Sequence, residues 1–313
     1  MAFKEAELPF PSPSLSPTRW WSKDTVAIVT GSNKGIGFAL VKRLAQMGVS
    51  VVLTARDMKR GSKAVEALRS QGLLLVHFFC LDVSDPASIT TFVSWFSLHF
   101  PALDILVNNA GVSFKEIHEN SVEHAETVMK TNFYGAKLLT EALLPMFRRS
   151  SQYSSRILNI TSRLGSINKV RNRVIKEMLE REDVRVEEIE GMVSKFLEDV
   201  KSGRWESEGW PALWTDYAVS KLALNTYSRV LAKRYRGRGL SVNCFCPGFT
   251  QTSMTRGKGT HSADEAAEFG ANLALLPPQH LPTGNFFLMG STTPTTNTTT
   301  NNNNLISIFN SKL

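Results

Sequence analysis

Seven apolar runs rich in β-branched residues constrain the fold of this chain more than any other feature of its sequence. They lie at residues 24–30, 49–54, 73–79, 103–109, 156–161, 240–246 and 285–289. Longer amphipathic stretches alternate with these runs, which is typical of βαβ units and a parallel sheet. Continuous apolar runs suit strands that are buried on both faces. The pattern therefore predicts an α/β fold with one doubly wound parallel sheet of about seven strands and helices on both faces.

Two segments interrupt this alternation. Residues 166–213 are rich in charge and helical in period, and their later part has an apolar helix face formed by Met178, Ile189, Met192, Val193, Phe196 and Leu197. This indicates a helical insertion within one domain rather than a second domain. Residues 291–313 are rich in Thr and Asn and cannot build a core, so we predict a disordered tail. The Pro/Ser-rich residues 1–23 are typical of a flexible leader, which leaves residues 24–290 as the domain.

Composition and charge disfavour several classes of protein. The net charge is +8, but the basic residues are dispersed, which is typical of a solvated surface rather than a nucleic-acid interface. Cys80, Cys244 and Cys246 have no accompanying His cluster, so neither a disulfide framework nor a metal site is expected. This cysteine usage suits a reducing compartment, and we predict a cytoplasmic protein. No run of 18 apolar residues occurs, so no membrane span is predicted.

A Gly-rich turn follows the first predicted strand. Residues 30–37 read T-G-S-N-K-G-I-G and lead into an amphipathic stretch. Gly31 can adopt a positive φ for the turn, and Gly35 and Gly37 leave room where the backbone approaches a pyrophosphate or packs on a strand. The helix that follows offers free N–H groups and the positive end of its dipole. A simple glycine turn is the alternative, and the position directly after a strand favours a phosphate-binding loop.

The spacing G-x-x-x-G-x-G resembles the cofactor loop of the short-chain dehydrogenase/reductase family. Further blocks occur in the order that this family shows: Asp82-Val83 after the third run, N-N-A-G at 108–111, T-S-R-L-G at 161–165, Y-A-V-S-K at 217–221 and C-P-G-F-T at 246–250. The resemblance covers roughly residues 24–290 and implies a Rossmann-type sheet.

This resemblance also implies which residues contact the cofactor. Asp82 and Val83 are expected at the adenine, Asn109 begins a stretch that lines the cofactor, and Asn108 is the structural neighbour. Together with Arg56 and Arg60, which are discussed next, the predicted cofactor-binding residues are Gly31, Asn33, Lys34, Gly35, Ile36, Gly37, Asp82, Val83, Asn109, Ala110, Gly111, Tyr217, Lys221, Pro247, Gly248 and Thr250.

The residues after the second predicted strand indicate which nicotinamide cofactor is bound. An acidic residue there would bond the ribose 2′-hydroxyl and select NAD, whereas this chain has Arg56 first and then Arg60. With Lys34 in the Gly loop, these cations suit a 2′-phosphate, which arginine can bind through two hydrogen bonds. The alternatives are that Lys34 or Arg60 only faces solvent, or that Asp57 pairs with an arginine. We predict NADP(H).

Tyr217 and Lys221 are one helical turn apart and share a helix face. A nearby ammonium favours the phenolate and lowers the pKa of a tyrosine, so Tyr217 is predicted to be the general acid/base and Lys221 its helper. The Ser162 hydroxyl can bond the substrate oxygen and stabilise developing charge. Asn132 matches the family's helix asparagine, which holds a water of a proton relay; a buried Asn that bonds backbone is the alternative.

Ser162 and Tyr217 are 55 residues apart. A long helical insertion at this place resembles the branch that contains carbonyl reductases, salutaridine reductase and (+)-neomenthol dehydrogenases. The resemblance implies an NADPH-dependent reductase of a ketone or aldehyde of a small apolar metabolite, terpenoid-like or alkaloid-like. Because an inserted helix can cover the face on which relatives associate, we expect a monomer; a substrate lid is the alternative.

Two other functions stay open at this point. One is an alcohol dehydrogenase that acts in the oxidative direction, and the other is a non-catalytic, nucleotide-binding scaffold. Candidates for the apolar pocket wall are Val112, Phe114, Trp210, Trp214, Phe249 and Met254.

Overall fold

The centre of the molecule is a sheet of seven parallel strands. A computed structural model describes residues 6–7, 19–114, 121–148, 155–289 and 307–308. Strands in these residues are β1 (Ala6–Glu7), β2 (Val26–Val29), β3 (Ser50–Ala55), β4 (Val76–Cys80), β5 (Ile105–Asn108), β6 (Ser155–Ile160), β7 (Leu240–Cys246), β8 (Phe286–Leu288) and β9 (Ser307–Ile308). The order in the sheet is β4-β3-β2-β5-β6-β7-β8, and every neighbouring pair is parallel. The predicted fold class is confirmed.

The short strands β1 and β9 pair with each other in antiparallel fashion, outside the main sheet. Most of the predicted leader and most of the predicted tail lie outside the described residues. The division into a leader, a domain and a tail therefore stays a prediction.

Both faces of the sheet are buried, as the continuous apolar runs predict. In β2, Val26 and Ile28 belong to the core on one face, and Ala27 and Val29 belong to the core on the other. This alternation follows from the two-residue period of a strand. Because each strand is apolar on both faces, each needs a layer of helices above and below it.

Helices form these two layers. They are α1 (Gly35–Gln46), α2 (Met58–Arg69), α3 (Pro86–His99), α4 (Val122–Met129), α5 (Ala136–Leu143), α6 (Arg173–Glu180), α7 (Val186–Lys201), α8 (Thr215–Tyr235) and α9 (Ala263–Ala274). Buried side chains of α1, α2 and α9 form the core on one face, and those of α3, α4, α5, α7 and α8 contribute to the core on the other. A short π-helix, Lys130–Gly135, joins α4 to α5.

The sequence sets where several of these helices begin. Asp85 accepts a hydrogen bond from the backbone N–H of Ala87 at 3.0 Å, and Pro86 occupies the first position of α3, where a missing N–H costs nothing. At α9, the side chains of Ser262 and Glu265 form a capping box with each other's backbone N–H groups. These caps satisfy donors that would otherwise have no partner inside the helix.

The inserted segment contains α6 and α7, and α7 packs against α4 and α8. The predicted apolar face is buried: Ile189, Met192, Val193 and Phe196 lie in the core, and Met178 and Leu197 pack against it. This is the expected outcome for an amphipathic helix laid on an existing domain.

The two ends of the insertion meet at its base. The backbone N–H groups of Arg171 and Asn172 donate to the Gly209 carbonyl at 2.8 and 3.2 Å. The Asn172 side chain also donates to the Glu208 carbonyl at 2.9 Å. Gly209 has a φ of 80°, and a Cβ there would lie 2.7 Å from the Asn172 nitrogen. Only glycine fits this close approach. We call this contact between the two ends of the inserted segment the closed base of the insertion.

Candidate active site

The predicted site residues gather at one edge of the sheet. Because the strands are parallel, the loops after β2, β3, β4, β5, β6 and β7 all leave from the same edge. The chain order changes direction between β2 and β5, which is where doubly wound sheets open a crevice for ligands. The Gly loop, the N-N-A-G block and the T-S-R-L-G block therefore surround one crevice.

The Gly loop has the backbone that its sequence predicts. Gly31 and Gly35 have φ values of 59° and 58°, in the left-handed region that favours glycine. At Gly37 a Cβ would lie 2.4 Å from the Asn109 amide nitrogen and 2.9 Å from the Ser32 Cα. Gly37 is therefore required by close packing within the protein.

Space for a phosphate lies beside Gly35. A Cβ there would meet only the Thr252 side chain, at 3.5 Å, among the described residues. Helix α1 begins at Gly35 with no side-chain cap from the described part of the chain and no acidic residue in its first turn. Its first N–H groups are thus available to an anion. The cradle fits the pyrophosphate of a dinucleotide.

Three cations lie near this loop, and they are not equivalent. The side chains of Lys34 and Arg56 are exposed, and neither has an acidic partner in the described residues. Arg60 lies 3.7 Å from Asp57, whose carboxylate also accepts from the Arg60 backbone N–H at 2.8 Å and caps α2. The pairing considered for Asp57 is therefore present, and it involves Arg60. Lys34 and Arg56 are the cations free to bind a phosphate.

Other predicted cofactor residues hold the walls of the crevice. The Asn109 amide donates to the carbonyls of Thr30 and Gly31 at 2.8 and 3.1 Å, so its side chain fixes the Gly loop. The Asp82 carboxylate accepts from the Ser84 N–H and hydroxyl at 2.9 and 2.6 Å. The side chains of Asn109 and Asp82, both predicted to contact the cofactor, therefore make hydrogen bonds within the protein.

The remaining predicted cofactor residues are distributed along the same edge. Asn33, Ile36, Ala110, Gly111 and Gly248 are half-buried there, whereas Val83, Pro247 and Thr250 are buried. The Thr250 hydroxyl donates to the Pro247 carbonyl at 2.8 Å, which closes the turn after β7. A Cβ at Gly111 would lie 3.8 Å from the Lys221 Nζ, so the N-N-A-G block borders this lysine.

Tyr217 and Lys221 lie on α8, as the Y-A-V-S-K pattern predicts. The Lys221 Nζ is 5.5 Å from the centre of the Tyr217 ring and donates to the Ile160 carbonyl at the end of β6 at 2.9 Å. Lys221 is buried, and Tyr217 is half-buried. The bond to β6 fixes the direction of the ammonium and ties α8 to the strand that precedes Ser162.

Burial governs the protonation of this pair in the chain alone. Removal from water raises the pKa of Tyr217 well above its ordinary value of 10.0, and the neighbouring Cys246 adds to this rise. It also lowers the pKa of Lys221 from 10.5 to about 8. In the chain alone the pKa of Tyr217 is therefore raised rather than lowered as expected, and removal from water is the largest cause.

The shifted Lys221 makes stability depend on pH. Its pKa is lower in the folded state, so the unfolded chain binds more protons between pH 8 and 10.5. The contribution to stability is present above pH 10.5 and is lost as pH falls through 8. The test compares the free energies of unfolding of wild type and Lys221→Met, both without cofactor, by urea denaturation. We expect the value for wild type minus the value for the variant to increase by about 2 kcal/mol from pH 8 to pH 9.5. If the difference in unfolding free energy stayed constant with pH, the pKa of Lys221 would not be lowered by burial.

Ser162 lies at the carboxyl end of β6, at the start of a short 3₁₀ turn, Arg163–Gly165. Its hydroxyl accepts from the Leu164 N–H at 3.1 Å. The Cys246 sulfur accepts from the Arg163 N–H at 3.3 Å. Burial raises the pKa of this thiol, and hydrogen bonds from the Gly248 and Arg163 backbone and from the Ser162 hydroxyl reduce that rise. Cys246 also acts on Tyr217, so this thiol is a common neighbour of the two predicted catalytic side chains.

Asn132 lies in the π-helix between α4 and α5 and is buried. Its Nδ2 donates to the Val112 carbonyl at 2.9 Å and to the Ser220 hydroxyl at 3.0 Å, and its Oδ1 accepts from the Val112 N–H at 2.8 Å. These are the contacts expected of the alternative, an asparagine that bonds backbone. They connect the N-N-A-G loop to α8 beside Lys221.

One candidate for the pocket wall, Trp210, lies in the core instead. Trp210 is fully buried and donates to the Asp199 carboxylate at 2.9 Å, so it belongs to the core beneath the insertion. Leu213, Phe249 and Met254 are exposed apolar side chains on the loops before α8 and after β7.

Sequence reasoning also missed the side chains that support the catalytic groups. Thr161, Asn225 and Cys246 contact the turn that carries Ser162. For Asn225 a signal exists: it follows Lys221 by four residues and Tyr217 by eight, and so falls on the same helix face. Within the described residues, no group of side chains could hold a metal ion, and no helix is both long and apolar enough to cross a membrane.

Comparisons with known proteins agree with this geometry. Residues 25–174 and 207–263 match the family model described as short chain dehydrogenase, and the unmatched residues between them include α7. The (+)-neomenthol dehydrogenase of Arabidopsis thaliana is 40% identical over 287 residues, covering 83% of this chain and 95% of that protein. Carbonyl reductase [NADPH] 1 of Mus musculus is 38% identical over 275 residues, covering 85% and 96%. The solved structure of salutaridine reductase from Papaver somniferum has a TM-score of 0.78 and 37% identity, covering 84% of this chain and 99% of that one.

Proposed function

The chain belongs to the short-chain dehydrogenase family and is an oxidoreductase, and we propose that it is an NADPH-dependent carbonyl reductase. One observation carries this proposal: Tyr217 and Lys221 share a face of α8, and Lys221 is bonded to the end of the strand that leads to Ser162. Carbonyl reduction needs a group that donates a proton, a positive charge that stabilises the resulting anion and a hydrogen-bond donor to the substrate oxygen. Tyr217, Lys221 and Ser162 are suited to these three roles.

NADP(H) is the cofactor that the crevice suits. The left-handed Gly31 and Gly35 and the start of α1 would hold the pyrophosphate, and Lys34 and Arg56 would hold the 2′-phosphate. The mouse relative carries NADPH in its name, which supports the same choice. When bound, this cofactor supplies the hydride that adds to the carbonyl carbon.

Tyr217 donates the proton in this proposal. Its raised pKa keeps the hydroxyl protonated at neutral pH, so it can transfer the proton to the carbonyl oxygen as the hydride adds to the carbon. The Lys221 ammonium then stabilises the phenolate that remains, and the Ser162 hydroxyl donates to the oxygen on which negative charge develops. The alcohol leaves, and solvent reprotonates Tyr217.

The substrate is proposed to be a small apolar ketone or aldehyde of terpenoid or alkaloid character. Exposed Leu213, Phe249 and Met254 offer apolar contacts on the loops that flank α8 and β7. Relatives named neomenthol dehydrogenase and salutaridine reductase make such skeletons the first candidates. An alcohol dehydrogenase acting oxidatively uses the same residues and is the alternative.

We further propose a monomeric, cytoplasmic protein. Helix α7 covers part of α4 and α8, which reduces the helix surface left for a second subunit. Cys80, Cys244 and Cys246 are free thiols, which supports a reducing compartment.

Arg56→Asp tests the choice of cofactor. We expect the Kd for NADPH to rise by between about 10- and 100-fold, because a charge-assisted contact to the 2′-phosphate contributes roughly 1.5–3 kcal/mol. The Kd for NADH, which lacks this phosphate, should change by less than about threefold. Fluorescence titration of both cofactors measures this. Arg60→Asp is the matched control and should have the smaller effect, since Arg60 already pairs with Asp57; equal losses for NADPH and NADH would refute the role of Arg56.

The proposed function itself is tested by NADPH consumption. Purified protein is assayed against a panel of cyclic monoterpenoid ketones, alkaloid ketones and aromatic aldehydes, with consumption followed at the absorbance of the reduced nicotinamide. Turnover of at least one ketone or aldehyde is expected. NADPH binding without turnover across the panel would instead favour the nucleotide-binding scaffold.

A further inference from the structure

Two residues on either side of Ser162 are bonded to a single side chain of α8. The Thr161 hydroxyl donates to the Asn225 Oδ1 at 2.5 Å, and the Asn225 Nδ2 donates to the Gly165 carbonyl at 3.0 Å. Thr161 and Asn225 are both buried. The Asn225 amide therefore links Thr161, the residue before Ser162, to Gly165, the last residue of the turn that follows Ser162.

Asn225 belongs to the helix that carries the other catalytic groups. Tyr217, Lys221 and Asn225 are spaced four residues apart, so they lie one above another on the same face of α8. Lys221 ties this face to the Ile160 carbonyl, and Asn225 ties it to Thr161 and Gly165. The strand end and its turn are thus bonded to α8 on both sides of Ser162.

The position of the Ser162 hydroxyl depends on this turn. The hydroxyl accepts from the Leu164 N–H inside the same turn, and it also acts on the Cys246 thiol, which accepts from that turn. A displaced turn would therefore carry the hydroxyl with it. On its other side the turn is held by the Cys246 sulfur, which accepts the Arg163 N–H.

Loss of the Asn225 amide would leave two buried groups without their partners. Thr161, Gly165 and Asn225 are all buried, so bulk water does not reach the Gly165 carbonyl and the Thr161 hydroxyl to replace the amide. A buried group without a partner is costly, so the turn would shift to recover a bond. Such a shift moves Ser162 relative to Tyr217.

We propose that Asn225 is a positioning residue that fixes the Ser162 turn against α8 and acts on the reaction through Ser162. The proposal rests on the proposed function, since it concerns the hydroxyl that donates to the substrate oxygen. In this proposal α8 carries three functional side chains: Tyr217 donates the proton, Lys221 supplies the ammonium, and Asn225 holds the turn of Ser162 in place.

The kinetic test is a double-mutant cycle between Asn225→Leu and Ser162→Ala. We expect Asn225→Leu to lower kcat by about 30-fold, since a misplacement of about 1 Å costs up to about 100-fold, with the Kd for NADPH within about threefold of wild type. In the Ser162→Ala background, the same change should lower kcat by less than about threefold, because its effect passes through the missing hydroxyl. Equal fold-losses in both backgrounds would overturn the proposal.

Conservative variants cover the case in which Asn225→Leu folds poorly. Thr161→Val removes one of the two bonds and should lower kcat by about tenfold, whereas Thr161→Ser keeps the hydroxyl and should restore most of the rate. Ser228→Ala is the matched control: it removes a buried hydrogen bond on the same helix, from Asn159 at 2.7 Å, away from the Ser162 turn. Its kcat should stay near that of wild type, and loss of rate in this control equal to that in Thr161→Val would refute a specific role.

A second readout does not require turnover. The backbone N–H groups of Gly165 and Ser166 close the turn by donating to the carbonyls of Ser162 and Arg163. Their hydrogen exchange should accelerate by about tenfold or more in Asn225→Leu or Thr161→Val, and it should not change in Ser228→Ala. Unchanged exchange would overturn the positioning role even if no carbonyl compound is reduced. A wild type that lacks turnover while the exchange pattern holds would count against the proposed function alone.

Discussion

Tyr217→Phe lowers kcat by about 1000-fold, the loss expected when a general acid is removed, and leaves the Kd for NADPH within about threefold of wild type. The substitution deletes one hydroxyl and keeps the ring that packs beside Lys221. Steady-state kinetics and fluorescence titration on the same preparations measure both quantities.

Tyr227→Phe is the matched control for this result. Tyr227 lies on the same helix, is buried, and its hydroxyl donates to the Glu141 carboxylate at 3.4 Å. Removing this hydroxyl should affect stability and leave kcat near that of wild type. If Tyr217→Phe retained turnover, or if both variants lost it equally, the assignment of Tyr217 as the acid would be wrong.

Gly165→Ala lowers the free energy of unfolding by about 3 kcal/mol and kcat by about 100-fold. A Cβ at this position would lie 2.4 Å from the Lys221 carbonyl carbon and 2.5 Å from the Leu222 nitrogen. Both atoms are backbone in a buried helix, so neither can move away cheaply. Either the Ser162 turn or the helix that carries Lys221 must shift, and both outcomes disturb the site.

Gly191→Ala provides the contrasting case for Gly165→Ala. Gly191 lies within α7, and apart from its chain neighbours and the backbone of its own helix no described atom would come within 4 Å of a Cβ there. Alanine favours a helix over glycine by about 0.8–1.0 kcal/mol, so this variant should be more stable than wild type with unchanged kcat. Urea denaturation and steady-state assays compare the two variants; a Gly165→Ala protein as stable and active as Gly191→Ala would show that the turn tolerates the displacement.

Local patterns in the sequence predict the frame of the molecule well. The seven apolar runs became the seven strands of the main sheet, because an apolar run bounded by turns has few other ways to be buried. The run at 73–79 is the informative exception: β4 begins only at Val76, and Leu74 lies exposed in the preceding turn. Hydrophobicity alone does not mark the residue at which backbone pairing with β3 starts.

Properties of the candidate site that depend on packing were not accessible from sequence. The i, i+4 spacing predicts that Tyr217 and Lys221 are neighbours, but the sign of the Tyr217 pKa shift is set by how much water the surrounding elements exclude. The sequence allowed Asp57 to pair with an arginine, but side-chain directions decide that this arginine is Arg60 and that Trp210 is buried. Spacing fixes which residues share a face, and packing decides what that face touches.

The closed base of the insertion fixes the two points at which this segment leaves and re-enters the domain. Arg171 and Asn172 meet Gly209, so these points almost coincide. Between them, α7 packs against α4 and against α8, the helix that carries Tyr217 and Lys221. A substitution on the apolar face of α7 therefore acts directly on the helix of the candidate site, although α7 lies far along the chain from Ser162.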